Sequence, residues 1–141
     1  GILISMNHID DNANLIEDES GVAIDKAVYD SDLNLIGFNF FNAKNEPVIG
    51  SFLKSAGGKI EYDERGNCIK YATINLDNKL MMSRKKAYDV YQFDAAGNVV
   101  EISSYDTSDE VVKLRNVLKR KFIYNSKKPF KHLKTEYHHN E

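Results

Sequence analysis

Two clusters of acidic and amide residues have the spacing that begins a calcium-binding loop. Asp30, Asp32 and Asn34 occupy the first, third and fifth positions of such a loop, and carboxylate and amide oxygens are the ligands that Ca²⁺ prefers. The loop also needs glycine at its sixth position and glutamate at its twelfth, but the sequence has Leu35 and Phe41 there. Residues 10–14 fail in the same way. The sequence therefore predicts no metal site, and these polar residues are interpreted as turn residues.

Cys68 is the single cysteine and the one candidate for a thiol nucleophile. A thiol needs a neighbouring base to act in this way, and nothing in the sequence places His8 or His132 beside it. The sequence contains no phosphate loop, serine nucleophile elbow or zinc-protease motif. Paired carboxylates for glycoside hydrolysis have no fixed spacing and stay open as an alternative. We therefore predict that the protein is not an enzyme and carries no cofactor.

Length and composition indicate one globular domain. The chain has 141 residues, of which 42% are hydrophobic and 28% are charged, which excludes wholesale disorder. No apolar stretch approaches the roughly 20 residues of a membrane-spanning helix. A single cysteine excludes an internal disulfide bond.

Charge is unevenly distributed along the chain. Residues 1–30 contain seven acids and one base, whereas residues 111–134 contain nine bases and no acid. Such a basic segment docks on the acidic segment of the same or a neighbouring molecule, is solvated, or binds an anion such as a nucleic acid, a phospholipid or a polysaccharide. We favour the first two alternatives. The net charge of −2 disfavours nucleic acid as a partner.

An Asp-x-x-x-Asn spacing recurs along the chain. It begins at Asp10, Asp30, Asp63 and Asp94, and each asparagine is followed by two mostly apolar residues. A second polar turn follows each of the last three asparagines, at residues 42–45, 75–78 and 106–109. The period is 33 and then 31 residues, and the first copy is shorter and degenerate. Agreement among three copies at a near-constant period indicates an internal repeat.

Each copy of the repeat predicts a β-hairpin turn. An aspartate at the first turn position accepts hydrogen bonds from backbone amides two residues further on. Gly66 and Gly97 at the fourth position supply the positive φ of a type I turn with a bulge. Leu33 and Ala13 replace glycine in the other copies. We therefore expect Asn34 or Asn14 to take the left-handed conformation there.

The flanks of these turns predict strands with one buried face. Apolar residues alternate with polar or small ones on both sides of each turn, which is the period of a half-buried sheet. Before the turn, Ile60 and Tyr62 match Tyr91 and Phe93. After the turn, the predicted apolar layer continues with Ile36, Phe38, Ile69, Tyr71, Val100 and Ile102.

The predicted fold is mainly β, with tandem antiparallel hairpins forming one curved sheet and a C-terminal helix. Val111, Leu114 and Leu118 have helical spacing over residues 110–122, and Thr107 with Glu110 has the spacing of a capping box. That helix is expected to close the sheet, since repeat arrays need a cap. Residues 1–26 are assigned as a degenerate first repeat or N-terminal cap, 27–112 as three hairpin repeats, and 113–141 as a basic helix and tail.

The repeat also carries a resemblance to a known group of proteins. Residues 61–67 and 92–98 resemble the "YDxxGN" hairpin of tandem repeats in bacterial exported and surface proteins. Residues 42–48 and 75–80 are similar to the second turn of those repeats, and YD-type repeats of Rhs-like toxin shells share the first motif with a shorter period. The resemblance covers about residues 27–112. It implies a binding, shell-forming or scaffolding role on a bacterial surface or in a secreted protein, without catalytic residues.

The leading functional prediction is a non-enzymatic binding or scaffolding module that contacts a protein or a glycan. The alternative is an immunity or antitoxin-like partner of a bacterial toxin, with the acidic segment facing a basic partner, and a small enzyme is third. Self-association through sheet edges is also expected. Exposed aromatic residues would bind a ligand, and basic residues would bind an anion. The candidate binding residues are Phe40, Tyr88, Tyr105, Lys119, Arg120, Lys121, Lys127 and Lys128.

Overall fold

A computed structural model describes residues 1–125 and 128–138, and within them nine strands form one antiparallel sheet. Every strand pairs with the strands before and after it in the chain, so β1 and β9 are the two edges and the sheet is not closed. The predicted antiparallel hairpin sheet is confirmed. The strands are β1 (Ile2–Asn7), β2 (Ile24–Tyr29), β3 (Leu35–Phe41), β4 (Gly57–Tyr62), β5 (Cys68–Ile74), β6 (Tyr88–Phe93), β7 (Val99–Tyr105), β8 (Lys119–Asn125) and β9 (Lys128–His138).

One hydrogen-bonded turn, which we call the Asx turn, closes most of the connections. Its first residue is aspartate or asparagine, whose Oδ1 accepts bonds from the backbone N–H groups of the third and fifth residues. In the turn at Asp63, the donors are Arg65 at 2.9 Å and Asn67 at 2.8 Å. The backbone of Asp63 also donates to the carbonyl of Asn67 and accepts from Gly66. This is a type I turn with a bulge at its fourth residue.

The Asx turn recurs eight times among the described residues with N···Oδ1 distances of 2.8–3.0 Å. The fourth residue has a φ between 59° and 83° in every copy. Local side-chain chemistry therefore sets the direction of the chain at each of these points. The first residues of the eight turns are Asp10, Asp18, Asp30, Asn42, Asp63, Asn75, Asp94 and Asp106.

The left-handed position is occupied by the fourth residue even where it is not glycine. Leu33 has a φ of 64° and Ala13 a φ of 63°, so the expectation that Asn34 or Asn14 would take this conformation is wrong. The asparagines instead form side-chain hydrogen bonds with the turn aspartates. The side-chain amide of Asn34 donates to Asp30 Oδ2 at 3.0 Å, and Asn14 donates to Asp10 at 3.1 Å. The turn geometry therefore overrides the conformational preference of leucine and alanine.

Two kinds of connection alternate along the sheet. Single Asx turns, the hairpin turns, join β2 to β3, β4 to β5 and β6 to β7. At the opposite end of the strands, longer segments each contain two turns in succession. We call these the double-turn connections, and they comprise residues 8–23, 42–56, 75–87 and 106–118. The second turn is an Asx turn in the first connection, whereas in the others it is a tight turn closed by backbone hydrogen bonds, at Gly50–Lys54, Ser83–Lys86 and Leu114–Val117.

In the structure, the first Asp-x-x-x-Asn copy lies in a different kind of connection from the other three. Ile16 donates to the carbonyl of His8 as Val48 does to that of Phe40, and the Ile9–Leu15 bridge matches Phe41–Pro47. Asp10 therefore corresponds to Asn42 in a double-turn connection, and its assignment beside Asp30 as a shortened hairpin repeat is wrong. The two kinds of turn share one side-chain chemistry, so their sequence spacing alone does not separate them.

The buried core lies at the double-turn end of the sheet. Ala23, Ala56 and Ala87 are at most 1% exposed, and each donates its N–H to the strand after it and accepts from the strand before it. A methyl side chain permits this close approach of the backbones. Ile74 and Tyr88 pack beside them and are also buried. The folding free energy from apolar burial is therefore concentrated at one end of the strands.

Residues 110–122 do not form the predicted helix. Leu114 and Val117 pair across a two-residue turn in which Arg115 and Asn116 both have positive φ, and β8 begins at Lys119. The apolar residues that suggested helical spacing instead lie in a double-turn connection, and the predicted C-terminal tail contributes β8 and β9. Within the described ranges, no helix is present that could span a membrane.

The carboxylates of the Asx turns have lowered pKa values. At Asp94, bonds from the side-chain amide and then the backbone N–H of Asn98 lower the pKa of the carboxyl from its ordinary value of 3.8. The same causes lower the pKa of Asp63 and Asp30. Because these bonds form on folding, the ionised carboxylates stabilise the folded chain.

At the fourth position of an Asx turn, replacing glycine should lower the stability of the fold, and introducing glycine should raise it. Gly66→Val forces a β-branched residue to a φ of 79°, and we expect a loss of about 1 kcal/mol or more. Leu33→Gly relieves a φ of 64° at a side chain that is 68% exposed, and we expect a gain of up to about 1 kcal/mol. Urea denaturation followed by circular dichroism measures both changes. Unchanged stability in Gly66→Val and Gly97→Val would contradict the turn assignment.

Replacing a turn aspartate by asparagine should reduce the dependence of stability on pH. Asp94→Asn keeps an Oδ1 acceptor, as Asn42 and Asn75 do naturally, but removes the titrating carboxyl. In the wild type, the contribution of this carboxylate is present above the ordinary pKa and is lost as pH falls through the lowered value. The difference in unfolding free energy between about pH 7 and about pH 3 should therefore be smaller in Asp94→Asn. Asp32→Asn at an exposed turn tip is the control, and an equal change there would contradict the assignment.

Candidate binding surface

Aromatic and aliphatic side chains share one face of the sheet. Directly opposed residues of antiparallel strands lie on the same face, and the register pairs Ile60 with Tyr71 and Tyr91 with Ile102. The Phe38 ring centroid lies 5.4 Å from that of Phe40 and 6.4 Å from that of Tyr71. We call this surface the aromatic face. Its central members are Phe38, Phe40, Ile60, Tyr62, Tyr71, Tyr91, Phe93 and Ile102.

The aromatic face has no second layer of structure over it among the described residues. The predicted apolar positions do lie together, but most are half-buried by their neighbours rather than enclosed. Ile36 is 37% exposed and Tyr137, at the β9 end, is 57% exposed. An uncovered, largely apolar surface of this kind is a typical contact surface for a protein or another ligand.

Contacts within the sheet hold the rings of the aromatic face in place. The hydroxyl of Tyr62 donates to the carbonyl of Leu35 at 3.0 Å, which joins two successive hairpins. A Cβ on Gly58 would lie 2.8 Å from the Phe38 ring, so this glycine makes room for the ring beside it. Rigid, preorganised side chains lose little conformational entropy when they bind a partner.

A buried polar cluster interrupts the aromatic face at Asp89. The Asp89 side chain is 8% exposed, is paired with the Lys86 ammonium, and accepts a bond from the Ser104 hydroxyl at 2.5 Å. Tyr91 Oη lies 3.5 Å from the same carboxylate. Burial, and then the Asp89 charge, raise the pKa of Tyr91 to about 12. The charges in this cluster are paired, as buried charges must be, so it links the double-turn connection to the sheet.

A cavity of about 510 Å³ lies between the first two double-turn connections, residues 8–23 and 42–56. His8 lies between two of its carboxylates, with Nε2 3.4 Å from Asp25 and Nδ1 3.8 Å from Asp18. Hydrogen bonds from the Ser20 hydroxyl and the Val22 N–H lower the pKa of Asp18. Phe40, one of the predicted binding residues, is among the lining residues, which include Asp18, Glu19, Val22, Asp25, Phe52 and Leu53.

Tyr88 and Tyr105 lie on the face opposite to the aromatic face. Their rings stack with centroids 4.9 Å apart, and Tyr88 is buried in the core. Its hydroxyl donates to Asp109 Oδ1 at 2.7 Å. Burial, and then this bond, raise the pKa of Tyr88 to about 12. The structure therefore places these two predicted binding residues in internal packing across β6 and β7.

The predicted basic residues are not brought together on one surface. Arg120 pairs with Ile102 and lies on the aromatic face, whereas Lys119 and Lys121 lie on the opposite face. Lys119 Nζ lies 3.3 Å from Glu101 Oε1. Lys127 lies outside the described residues, and Lys128 begins β9 but its side chain also lies outside them. Because successive side chains of a strand point to opposite faces, basic residues that are consecutive in sequence lie on different faces of the sheet.

Burial accounts for the state of Cys68, and turn hydrogen bonds occupy the carboxylates of the acidic turn residues. Burial raises the pKa of the Cys68 thiol, which disfavours the reactive thiolate. Both carboxylate oxygens of Asp30 accept turn hydrogen bonds, from Asp32 and Asn34. No group of three or more histidine, cysteine, aspartate or glutamate side chains within residues 1–125 and 128–138 could hold a metal ion.

Sequence reasoning missed the Asp89 cluster and the alanine core. Asp89 occupies a strand position where the alternation of residue types would place an inward apolar side chain, and its partner Ser104 comes from the neighbouring strand. The alanines could have been identified from the sequence as equivalent positions, since Ala23, Ala56 and Ala87 recur at the 33- and 31-residue spacing of the repeat.

Comparison of the chain with protein-family models finds no match, and comparison with curated proteins finds none either.

Removing the Asp89 carboxylate should destabilise the fold strongly. Asp89→Ala leaves Lys86 and Ser104 without their buried partner, and we expect a loss of roughly 2–4 kcal/mol. Asp77→Ala at an exposed turn tip is the control and should change stability by less than about 0.5 kcal/mol. Chemical denaturation measures both variants. Equal stability of the two variants would show that the cluster has no structural role.

Proposed function

We propose that the protein is a non-enzymatic binding module whose ligand surface is the aromatic face. The observation that carries the proposal is the uncovered layer of half-buried aromatic and aliphatic side chains that crosses successive hairpins. Burying such a surface against a partner gives a favourable free energy of roughly 25 cal/mol per Å² of apolar area removed from water. The preorganised rings add specificity, since a partner must match their spacing.

A protein partner fits the aromatic face better than a glycan does. Ile36, Ile60 and Ile102 lie between the rings, and branched aliphatic side chains pack against apolar protein surfaces. Sugar rings need polar groups next to the aromatic platform, yet the hydroxyls of Tyr62 and Tyr91 lie against Leu35 and Asp89. The scaffolding role in a bacterial surface or secreted protein stays a prediction from the resemblance of the turn motifs, and the curvature of the sheet stays a prediction from the hairpin pattern.

The second candidate is an immunity-like partner of a toxin. The acidic residues Asp18, Glu19 and Asp25 around the cavity favour it, because they would attract a basic protein. That interaction would use the cavity, which shares Phe40 with the aromatic face but is not lined by Ile36 or Ile60, so the two candidates differ in the residues that a partner protects.

Substitutions on the aromatic face should weaken ligand binding without unfolding the chain. Ile36→Lys and Ile60→Lys place charges within the layer, and Gln92→Lys places one at an exposed position of the opposite face as the matched control. A phage-displayed peptide library and a glycan array are the probes. We expect peptides that bind the wild type and Gln92→Lys, and at least about tenfold weaker binding to the two isoleucine variants.

Three outcomes would contradict this proposal. Peptides that bind the isoleucine variants as well as the wild type would place the ligand surface elsewhere. Binding by glycans alone would overturn the assigned class of partner. Protection of Asp18 and Glu19, rather than the aromatic face, in amide exchange of a complex would favour the immunity-like alternative. Circular dichroism of each variant checks that the sheet is intact.

A further inference from the structure

We propose that copies of this chain associate head to tail, with β1 of one copy pairing with β9 of the next. The association uses the two edge strands and leaves the aromatic face open, so it does not rest on the proposed ligand surface. Its product is an extended sheet built from copies of the same chain.

β1 is an edge strand without the usual protection. All six residues are exposed, and the strand contains no charge and no proline. Leu3 is 64% exposed and Met6 is 62% exposed. Soluble proteins generally protect edge strands with charges, prolines or bulges, because free N–H and C=O groups recruit other strands.

The repeat indicates that this edge is suited to a neighbouring strand. The N–H of His8 donates to Ala23 as that of Phe40 donates to Ala56, so β1 corresponds to β3 and also to β5 and β7. Each of those three strands has a partner on both sides, whereas β1 pairs with β2 alone. The free side of β1 therefore has the backbone geometry of strands that are paired within this same sheet.

Charge identifies the partner as another copy. The acidic residues of the first 30 positions lie around β1 and β2, and the described basic residues of the C-terminal part lie in or before β8 and in β9, at Lys113, Arg115, Lys119, Arg120, Lys121, Lys128, Lys131 and Lys134. The two ends are eight strand spacings apart in the order β1 to β9, or about 38 Å at 4.8 Å per strand. In this open sheet β1 and β9 are not paired with each other. The opposite charges at the two ends are therefore available to complement each other between molecules.

Strand direction selects the antiparallel pairing. The turns after β1 contain Asp10, Asp11, Glu17 and Glu19, whereas β9 has Lys128, Lys131 and Lys134 in its first part. Antiparallel pairing puts the end of β1 beside the beginning of β9, and so brings the acids to the lysines. Parallel pairing would put the same acids beside the end of β9, where Glu136 lies. Pro129 lacks an N–H, so the six residues of β1 fit beyond it.

Charge reversal at either end should prevent the association. The head variant is Asp11→Lys with Glu19→Lys, and the tail variant is Lys131→Glu with Lys134→Glu. Glu64→Lys with Asp77→Lys makes the same change as the head variant at exposed turns in the middle of the sheet, and is the control. Sedimentation velocity of the full chain over a range of concentrations measures association.

We expect the wild type and the control to associate with rising concentration, and more weakly at high salt. The head and tail variants should each associate at least about tenfold more weakly. An equimolar mixture of the two should regain association, because each reversed end meets its complement in the other variant. Circular dichroism confirms that each variant is folded.

Three results would overturn the proposal. A wild type that stays monomeric at every concentration would show that the edges do not pair. A tail variant that dimerises as well as the wild type would indicate symmetric pairing of β1 with β1. Loss of association in the control would indicate a general effect of net charge. Ligand binding at the aromatic face is measured separately, so failure of this proposal leaves that function unaffected.

Discussion

A side-chain oxygen that accepts two backbone N–H groups is the interaction on which the rest of the sheet depends. In each Asx turn, one aspartate or asparagine satisfies donors that the reversal of the chain would leave without strand partners. The fourth residue adopts a left-handed φ in each copy, and in the three hairpin turns the chain enters the next strand with a one-residue bulge. Because the same turn recurs in nearly every connection, each strand lies beside its predecessor. A meander in chain order is the result.

The position of the core follows from these turns. Hairpin turns such as that at Asp63 add no layer to the sheet, whereas the double-turn connections pack against the ends of the strands. Burial is therefore concentrated around Ala56 and Ile74 at one end, and the rest of the sheet keeps two accessible faces. A single-layer sheet gains stability from cross-strand contacts rather than from an enclosed interior. Its aromatic face and its edge strands consequently remain available for interactions with other molecules.

The hairpins could be predicted from sequence because their determinants are local. The turn at Asp94 needs only an acceptor, a glycine and an asparagine in the right order, and the apolar alternation beside it sets the strands. The helix predicted over 110–122 failed because Leu114 and Val117 satisfy both a helical spacing and a tight turn. Asp10 was misplaced because hairpin and double-turn connections begin with the same chemistry. The Asp89 cluster was missed because the pairing of β6 with β7 brings Ser104 to Asp89, although Lys86 is only three residues away in sequence.

Nuclear Overhauser contacts between backbone protons would test most directly whether recurring Asx turns place nine strands in chain order. The most informative pairs join successive hairpins, where the register opposes Gly37 to Lys59, Lys70 to Val90 and Glu101 to Lys121. We expect cross-strand contacts at all three places in a dilute, isotopically labelled sample. Contacts that pair any of these strands with a non-consecutive neighbour, or a helical pattern of contacts over residues 110–122, would contradict it.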